Sequence, residues 1–364
     1  MAEHAAQVNE LLEWYDSNRR ILPWREDPTP YHVWLSEIML QQTRVEAGKA
    51  YYLRFLEELP DIASLAAAQE EVYLKLWEGL GYYSRVRNLH KAAEKIMEDF
   101  GGRMPKEAGE LEKLPGIGPY SAAAISSIAF GQPAVALDGN LLRVYARMTE
   151  CAEESKSPKA RKEALAYYEE RIGAAGKRPG DFNQALMDLG AGVCLPNGEP
   201  LCGKCPWEAR CLSHSEGREQ EFPVVSPQKT RRKEKRTVLI LRAGDRIALR
   251  RRPEKGLLAG LYEFPNVEGH CRGKDLPRIM RQLLSQEVPE GAVRRLPSAR
   301  HVFSHIEWVM QGYEIRLPSV CEAEDVIWAT QEELERKYSV PSAFDAYKPA
   351  SAAAGSPDSS ETQA

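Results

Sequence analysis

The chain of 364 residues has no apolar stretch near the roughly 18 residues that a membrane-crossing helix needs. Met1–Asn9 has neither a basic start nor an apolar centre, so no secretory signal is expected. A net charge of −4 excludes a chain that binds nucleic acid through overall charge and leaves only a local basic face for that job. No internal repeat occurs, which excludes solenoids. Cysteine is sparse, seven in all, and without a secretory signal these are read as free or metal-bound thiols rather than disulfides. Length leaves room for two domains, and 43% hydrophobic with 28% charged residues is a soluble globular composition.

Four of the seven cysteines, Cys194, Cys202, Cys205 and Cys211, crowd into 18 residues as C-x7-C-x2-C-x5-C. One short loop can wrap a metal with such a set, either an iron–sulfur cluster or a structural zinc. Pro196, Gly198, Pro200, Gly203 and Pro206 lie between them and make the segment a turning loop.

Ahead of this loop, apolar residues recur three or four apart, which predicts helices over Val8–Asn18, Val33–Leu40, Gly48–Leu59, Glu71–Leu80, Asn88–Phe100, Tyr120–Phe130, Asn140–Thr149 and Lys159–Ile172. After Arg236 short β-branched and aromatic runs predict strands: Thr237–Leu241, Ile247–Arg250, Leu261–Phe264, Arg300–Phe303, Val309–Leu317 and Val326–Trp328. Helices are expected at Leu276–Ser285 and after the T-x-x-E box of Thr330 and Glu333. Ser213–Arg236, where six of the eight residues from Lys229 to Arg236 are basic, is read as a solvated linker. The expected division is an all-α domain over 7–212 with the cysteine loop 194–211, a linker over 213–235, an α+β domain over 236–347 and a disordered tail over 348–364.

Three features in the helical part carry chemistry. Leu114–Tyr120 reads L-P-G-I-G-P-Y before a small-residue helix, and a G-x-G turn at a helix N-terminus offers backbone amides to a phosphate, here through Gly116 and Gly118. Asp138, after four apolar residues and before Gly139, is a helix N-cap, a partly buried carboxylate, or both. Glu37 lies among Val33, Trp34, Leu35, Ile38, Met39 and Leu40, and is either an exposed Glu on a polar stripe with Ser36 and Gln41 or a desolvated carboxyl whose raised pKa would make it a general acid near neutrality.

These elements, in this order, resemble the endonuclease III superfamily of helix-hairpin-helix DNA glycosylases, and within it the MutY family of adenine glycosylases. The resemblance rests on L-P-W-R (Leu22–Arg25), S-E-I-M-L-Q-Q-T-R-V-E (Ser36–Glu46), W-E-G-L-G-Y-Y-S-R-V-R-N (Trp77–Asn88), Leu114–Tyr120, L-D-G-N-L-L-R (Leu137–Arg143), D-F-N-Q-A-L-M-D-L-G (Asp181–Gly190) and the cysteine loop. It implies a [4Fe–4S] cluster on the four cysteines, although the family usually has six residues between the first two and this chain has seven. Bifunctional members carry a lysine where this chain has Tyr120, so the resemblance implies a monofunctional glycosylase that leaves the strand intact.

The implied reaction is removal of adenine opposite 8-oxoguanine in double-stranded DNA. Glu37 would protonate adenine N7, and Asp138 would stabilise the sugar cation or attack C1′. Tyr120 would position the reacting centre and Asn140 orient the network. Arg25, Leu40 and Gln184 match positions lining the adenine pocket, and Gln42 and Tyr82 match residues that enter the duplex. Leu257–Asn266 resembles the opening of a Nudix-type domain, and Phe303-Ser304-His305 matches an F-S-H motif that recognises 8-oxoguanine. The metal-binding R-E-x-x-E-E run of Nudix hydrolases is absent, so no pyrophosphatase activity is expected. Basic residues in Lys229–Arg236 and Arg250–Arg252 are candidates for phosphate contacts. A monomer suffices for one lesion, no membrane partner is expected, and the chain is expected to be cytoplasmic, DNA-associated and bacterial. Other readings are a thymine glycosylase for T·G mismatches and a non-enzymatic iron–sulfur DNA-binding sensor.

Overall fold

The computed structural model describes residues 2–227 and 230–349. Lys229 and residues 350–364 of the expected tail lie outside the described residues. Contacts divide the chain into two units, Met1–Gln69 with Ser84–Gln228 and Glu70–Tyr83 with Lys229–Ala364.

The first unit is helical: α1 Ala2–Asn18, α2 Pro23–Glu26, α3 Pro30–Leu40, α4 Val45–Glu58 and α5 Ile62–Ala67. A sixth helix, α6 Glu70–Leu76, belongs to the second unit. The first unit resumes with α7 Ser84–Phe100, α8 Ala108–Leu111, α9 Pro119–Phe130, α10 Gly139–Thr149, α11 Pro158–Ile172, α12 Pro179–Gly192 and α13 Leu212–Ser215. Periodicity explains them: α7 buries Val86, Leu89, Ala92, Ala93 and Ile96 on one stripe. Caps set several starts. Thr29, Asp138 and Ser157 each accept a backbone amide in the first turn of α3, α10 and α11. Val8, Leu11, Tyr15, Leu141, Tyr168, Phe182, Leu186 and Trp207 form the core around which α1, α10, α11 and α12 pack.

Two close approaches position the functional part of this unit. A Cβ on Gly180 of α12 would stand 2.7 Å from the Ile128 backbone, so only glycine lets α12 lie against α9 there. Beside it, buried Asn183 donates to Ser127 Oγ and the Ala134 carbonyl and accepts from the Ala136 amide, which fixes the segment entering α10.

The second unit has one sheet, β1 Arg232–Ala243, β2 Arg246–Arg251, β3 Tyr262–Glu263, β4 Asn266–Glu268, β5 Val293–Val302, β6 Ile306–Leu317 and β7 Val326–Thr330, with α14 Leu276–Leu284 and α15 Gln331–Arg336. Strand order is β3-β2-β1-β6-β5, with β4 on β1 and β7 on β2. Only the β1–β6 pair is parallel among the described residues. The alternation of β1 serves two cores: Val238 and Ile240 join Trp308, Phe264 and Phe344, while Leu239 and Leu241 join α14 through Leu276, Ile279 and Met280. The Thr330 and Glu333 capping box forms as expected.

The structure corrects two boundaries. Residues 70–83, read as part of the helical domain, pack with the second unit: Lys75 Nζ donates to the carbonyls of Leu334 (3.0 Å) and Tyr338 (3.3 Å), and Lys348 pairs with Glu78 at 2.8 Å. The segment read as a solvated linker is ordered at both ends. Ser213 and Phe222 are buried, and Arg147 Nε donates to the carbonyls of Glu219 and Phe222. At the other end, β1 already begins at Arg232. Satisfied hydrogen bonds, invisible to a composition count, make these residues part of the folded units.

Candidate active site

Helices α3, α9, α10 and α12 surround a cavity of about 340 Å³ in the first unit. Its lining includes Arg25, Glu37, Leu40, Gln42, Tyr120, Asp138 and Gln184, residues spread over more than 140 positions of sequence. A volume at the low end of small-molecule pockets suits a single heterocyclic base better than a larger ligand.

Glu37 and Tyr120 are in contact: the Tyr120 hydroxyl donates to Glu37 Oε2 at 2.7 Å. Burial pushes the Glu37 carboxyl up to about 7, with the Asp138 charge adding to the push and the Tyr120 hydrogen bond opposing it. Burial, followed by the Glu37 charge, holds the Tyr120 phenol well above its usual range, so it stays a donor.

Asp138 is both things the sequence allowed, an N-cap and a partly buried carboxylate. Oδ1 accepts from the Asn140 and Leu141 amides at 2.8 Å each, and Oδ2 accepts from Asn140 Nδ2 at 2.7 Å. Burial raises the Asp138 carboxyl as well, because desolvation outweighs the three donors and the Arg143 charge that favour its ionised form.

Asn140 does not line the cavity but acts behind it. Arg143 Nη2 donates to Asn140 Oδ1 (2.9 Å) and the Gly190 carbonyl (2.8 Å), and Arg143 Nε donates to the Cys194 carbonyl (2.8 Å). The network that orients Asp138 therefore runs into the cysteine loop. Gly190 of α12 makes room for it, since a Cβ there would lie 2.5 Å from Asn140 Cβ.

Arg25 is held by a residue that sequence reasoning passed over. Asp188 accepts from Arg25 Nη1 (2.7 Å) and Nη2 (3.0 Å) and from Arg20 Nε (2.7 Å), with its side chain 2% exposed. The available signal was D-L-G inside a helix that otherwise reads as apolar. Gln42 sits in left-handed backbone at φ 59°, a conformation non-glycine residues adopt rarely and mostly at functional sites. Gly116 has φ 78°, and a Cβ on it would meet Asn88 Cβ at 2.6 Å; Gly118 caps α9 with no side-chain partner. The hairpin turn therefore requires its first glycine on two counts.

The four cysteines line one pocket against the first unit's core. Trp207, between Cys205 and Cys211, is fully buried and donates to the Gln7 carbonyl, fastening the loop to α1. Burial raises the thiols of Cys202 to about 11 and Cys205 to about 12, with neighbouring carboxylate and thiol charges adding to the push. Arg147 Nη1 lies 3.2 Å from Cys194 Sγ. Four soft donors, desolvated and beside fixed cationic groups, fit a cluster that takes thiolates. Cys202, His214 and Glu219 also place one ligand atom each within 4.8 Å of one another.

In the second unit, Phe303–His305 forms the turn between β5 and β6. Ser304 and His305 are exposed, and Phe303 packs edge-on between His301 (4.6 Å) and Trp308 (4.9 Å). Tyr82 belongs to the same unit, at φ 47°, and its hydroxyl lies 2.6 Å from Ser304 Oγ.

Comparison with known proteins agrees with both units. Residues 35–170 match the HhH-GPD superfamily of base excision DNA repair proteins, and residues 236–348 match the NUDIX domain. The human adenine DNA glycosylase is 35% identical over 398 residues, covering 92% of this chain and 72% of the relative. The chain belongs to the adenine DNA glycosylase family.

The fission yeast adenine DNA glycosylase is 33% identical, covering 89% of this chain and 85% of its own. A solved thermostable thymine-DNA glycosylase superposes at TM-score 0.52 with 27% identity, over 59% of this chain and all of that one. Adenine DNA glycosylases similar to this chain occur in mammals, yeast and plant as well as in Buchnera, so the expectation of a bacterial source is not borne out. Among the described residues no helix is long and apolar enough to cross a membrane. For a family member with this fold, the cavity assembles seven of the expected residues, the hairpin and the cysteines stand apart from it, and Tyr82 joins the F-S-H turn.

Proposed function

We propose that this family member removes adenine paired with 8-oxoguanine, or with guanine, in double-stranded DNA by hydrolysing the N-glycosidic bond. The observation that carries the reading is the pairing of Glu37, raised to about 7, with Asp138 on the same base-sized cavity. Adenine is a poor leaving group as an anion. Glu37, protonated near neutral pH, donates to N7 so that the base leaves neutral. The sugar gains positive charge as the bond lengthens, and Asp138, whose ionised form three donors favour, stabilises it or bonds to C1′. Tyr120 holds Glu37 in place and, having no amine, forms no imine with the sugar, so the strand stays whole.

The base must leave the stack to reach this cavity. Gln184 offers both a donor and an acceptor to the adenine edge, with Arg25 and Leu40 beside it, and Gln42 enters the duplex. The hairpin at Gly116 and Gly118 grips backbone phosphate. In the second unit Ser304 and His305 bond the features that distinguish 8-oxoguanine, Phe303 supports them, and Tyr82 works from beside Ser304. The division of labour runs between the two units, with residues 70–83 serving the second, and one monomer carries it.

Cys194, Cys202, Cys205 and Cys211 hold a [4Fe–4S] cluster in this reading. Bound, the cluster supplies a covalent staple across the loop. The Arg143 side chain transmits the loop's position to Asn140 and so to Asp138.

A duplex with one adenine opposite 8-oxoguanine, labelled on the adenine strand, tests the function. Strand cleavage only after hot alkali, with free adenine released, is expected. Cleavage without alkali would reveal a lyase, and release of thymine from a T·G duplex instead would favour the thymine glycosylase reading.

A further inference from the structure

Strand register sorts the basic run before β1 into two sets with different fates. β1 and β6 pair in parallel from Arg232 opposite Ile306 to Ala243 opposite Leu317, so alternate residues of the two strands share a face. On one face Arg232 and Arg236 both pair with Glu234, Arg236 lies 4.4 Å over the Trp308 ring, and Trp308 Nε1 donates to Glu234. Arg252 is spent likewise, on Glu263 and the same ring. Arg236 and Arg252 are thereby held within the unit, whereas Arg232, its side chain 73% exposed, shares Glu234 with Arg236.

The other face keeps its charge. Lys233 stands opposite Glu307 and Lys235 opposite Val309, and β5 extends the same rungs with Val302 and Arg300. Glu307 is the one anion on these rungs, 4.0 Å from Lys233 Nζ and 3.8 Å from Arg300 Nη1. Lys235 makes no ion pair among the described residues. Lys233 and Arg300 side chains are 68% and 72% exposed. Deeper rungs of this face are sealed, since Thr237 and Gln311 bond to the 269–271 segment and α14 covers Leu239 and Leu241. The open part of the face therefore coincides with its basic part. It also ends at the Phe303–His305 turn, where the Arg232 amide donates to the His305 carbonyl at 3.1 Å.

We propose that this open face of β1, β5 and β6, carrying Lys233, Lys235 and Arg300, binds the phosphates of the DNA strand whose base is presented to the Phe303–His305 turn. The inference rests on the function proposed above. Successive rungs on one face lie about 7 Å apart and neighbouring strands about 4.8 Å, so the cations form a rigid two-dimensional array. Three cations against one carboxylate, with Val302 and Val309 between them, suit a charged backbone. Such contacts set affinity and register and carry no base sequence. The turn then receives a base already positioned by its own strand.

The test uses the full chain with Lys233→Gln, Lys235→Gln and Arg300→Gln combined, and a control with Lys274→Gln, Arg278→Gln and Arg281→Gln, which removes as many exposed cations from the same unit. Binding to a fluorescent duplex with adenine opposite 8-oxoguanine is followed between about 50 and 200 mM salt, with single-turnover adenine release at saturating protein. The slope of log affinity against log salt should become shallower by about 2–3 in the first variant, at about 0.9 per phosphate contact. Its release rate at saturation should be unchanged, and the control should keep the parent slope. An unchanged slope in the first variant, as expected of a face that serves an acidic protein, overturns the inference, and so does an equal loss in the control. If the unmodified protein releases no adenine, the functional reading fails. If it does and the slopes match, only the surface fails.

Discussion

Replacing Tyr120 by Phe should move the alkaline limb of the enzyme's rate profile to higher pH. The Tyr120 hydroxyl donates to Glu37 Oε2 at 2.7 Å, and that bond favours the carboxylate against the burial that pushes Glu37 up to about 7. A hydrogen bond to a charged group is worth about 1.5–3 kcal/mol, and one pKa unit is about 1.4 kcal/mol. Phe keeps the ring and deletes the bond, so Glu37 should rise by roughly 1–2 units. A general acid gives a rate that is level below its pKa and falls tenfold per pH unit above it. The parent's alkaline limb should lie near 7 and the variant's near about 8–9. At about pH 8 the variant then retains several times more protonated Glu37. Single-turnover release of adenine, with saturating protein and hot-alkali readout, gives the profile. The limb's position, not its height, carries the answer, because any positioning role of Tyr120 lowers the rate at every pH alike. A limb that stays put or moves down would refute Glu37 as the titrating acid.

Glu37→Gln should abolish release while stabilising the fold at alkaline pH. The folded pKa lies above the ordinary 4.5, so the folded state holds the proton more tightly, and stability is lost as pH rises from there to about 7. At about 1.4 kcal/mol per unit the loss is at most about 3 kcal/mol, less whatever solvent reaches the carboxyl through the cavity. Urea midpoints of the two proteins should agree below about pH 4.5, diverge as pH rises to about 7 and stay apart above it, with the variant higher. Asp188→Ala should destabilise the first unit by about 3–5 kcal/mol, since it strands the buried Arg25 guanidinium without its partner; a urea midpoint within experimental error of the parent would count against this. Gly190→Ala should displace Asn140, whose Cβ would lie 2.5 Å from the new methyl. The expected signature is a drop in single-turnover rate with DNA affinity retained, and a proportionate loss of both would contradict the positioning role.

Much of this protein was legible in its sequence. Apolar spacing located most of the long helices but not α12, because a helix must bury one stripe, and strand runs located most of the sheet for the corresponding reason. A carboxylate among six apolar neighbours announced a raised pKa at Glu37, and an Asp before Gly-Asn announced the N-cap of α10. Spacing also marked the cysteines as one loop. What those patterns do not contain is the partner of each side chain. Tyr120 reaches Glu37 across 83 residues, and Arg25 reaches Asp188 across 163. Such pairings follow from how helices cross, and the crossings depend on small contacts such as Gly180 against Ile128. Asp138 illustrates the limit: its donors are local and readable, but the burial that raises it is supplied by the surrounding helices. The basic run before β1 illustrates it again. Composition counts six cations in eight residues, whereas pairing with β6 decides that Arg232 and Arg236 are spent on Glu234 and Lys233 and Lys235 are not. Local sequence determines the elements and the chemistry available to them; the three-dimensional packing decides which charges meet, which are desolvated and which stay exposed.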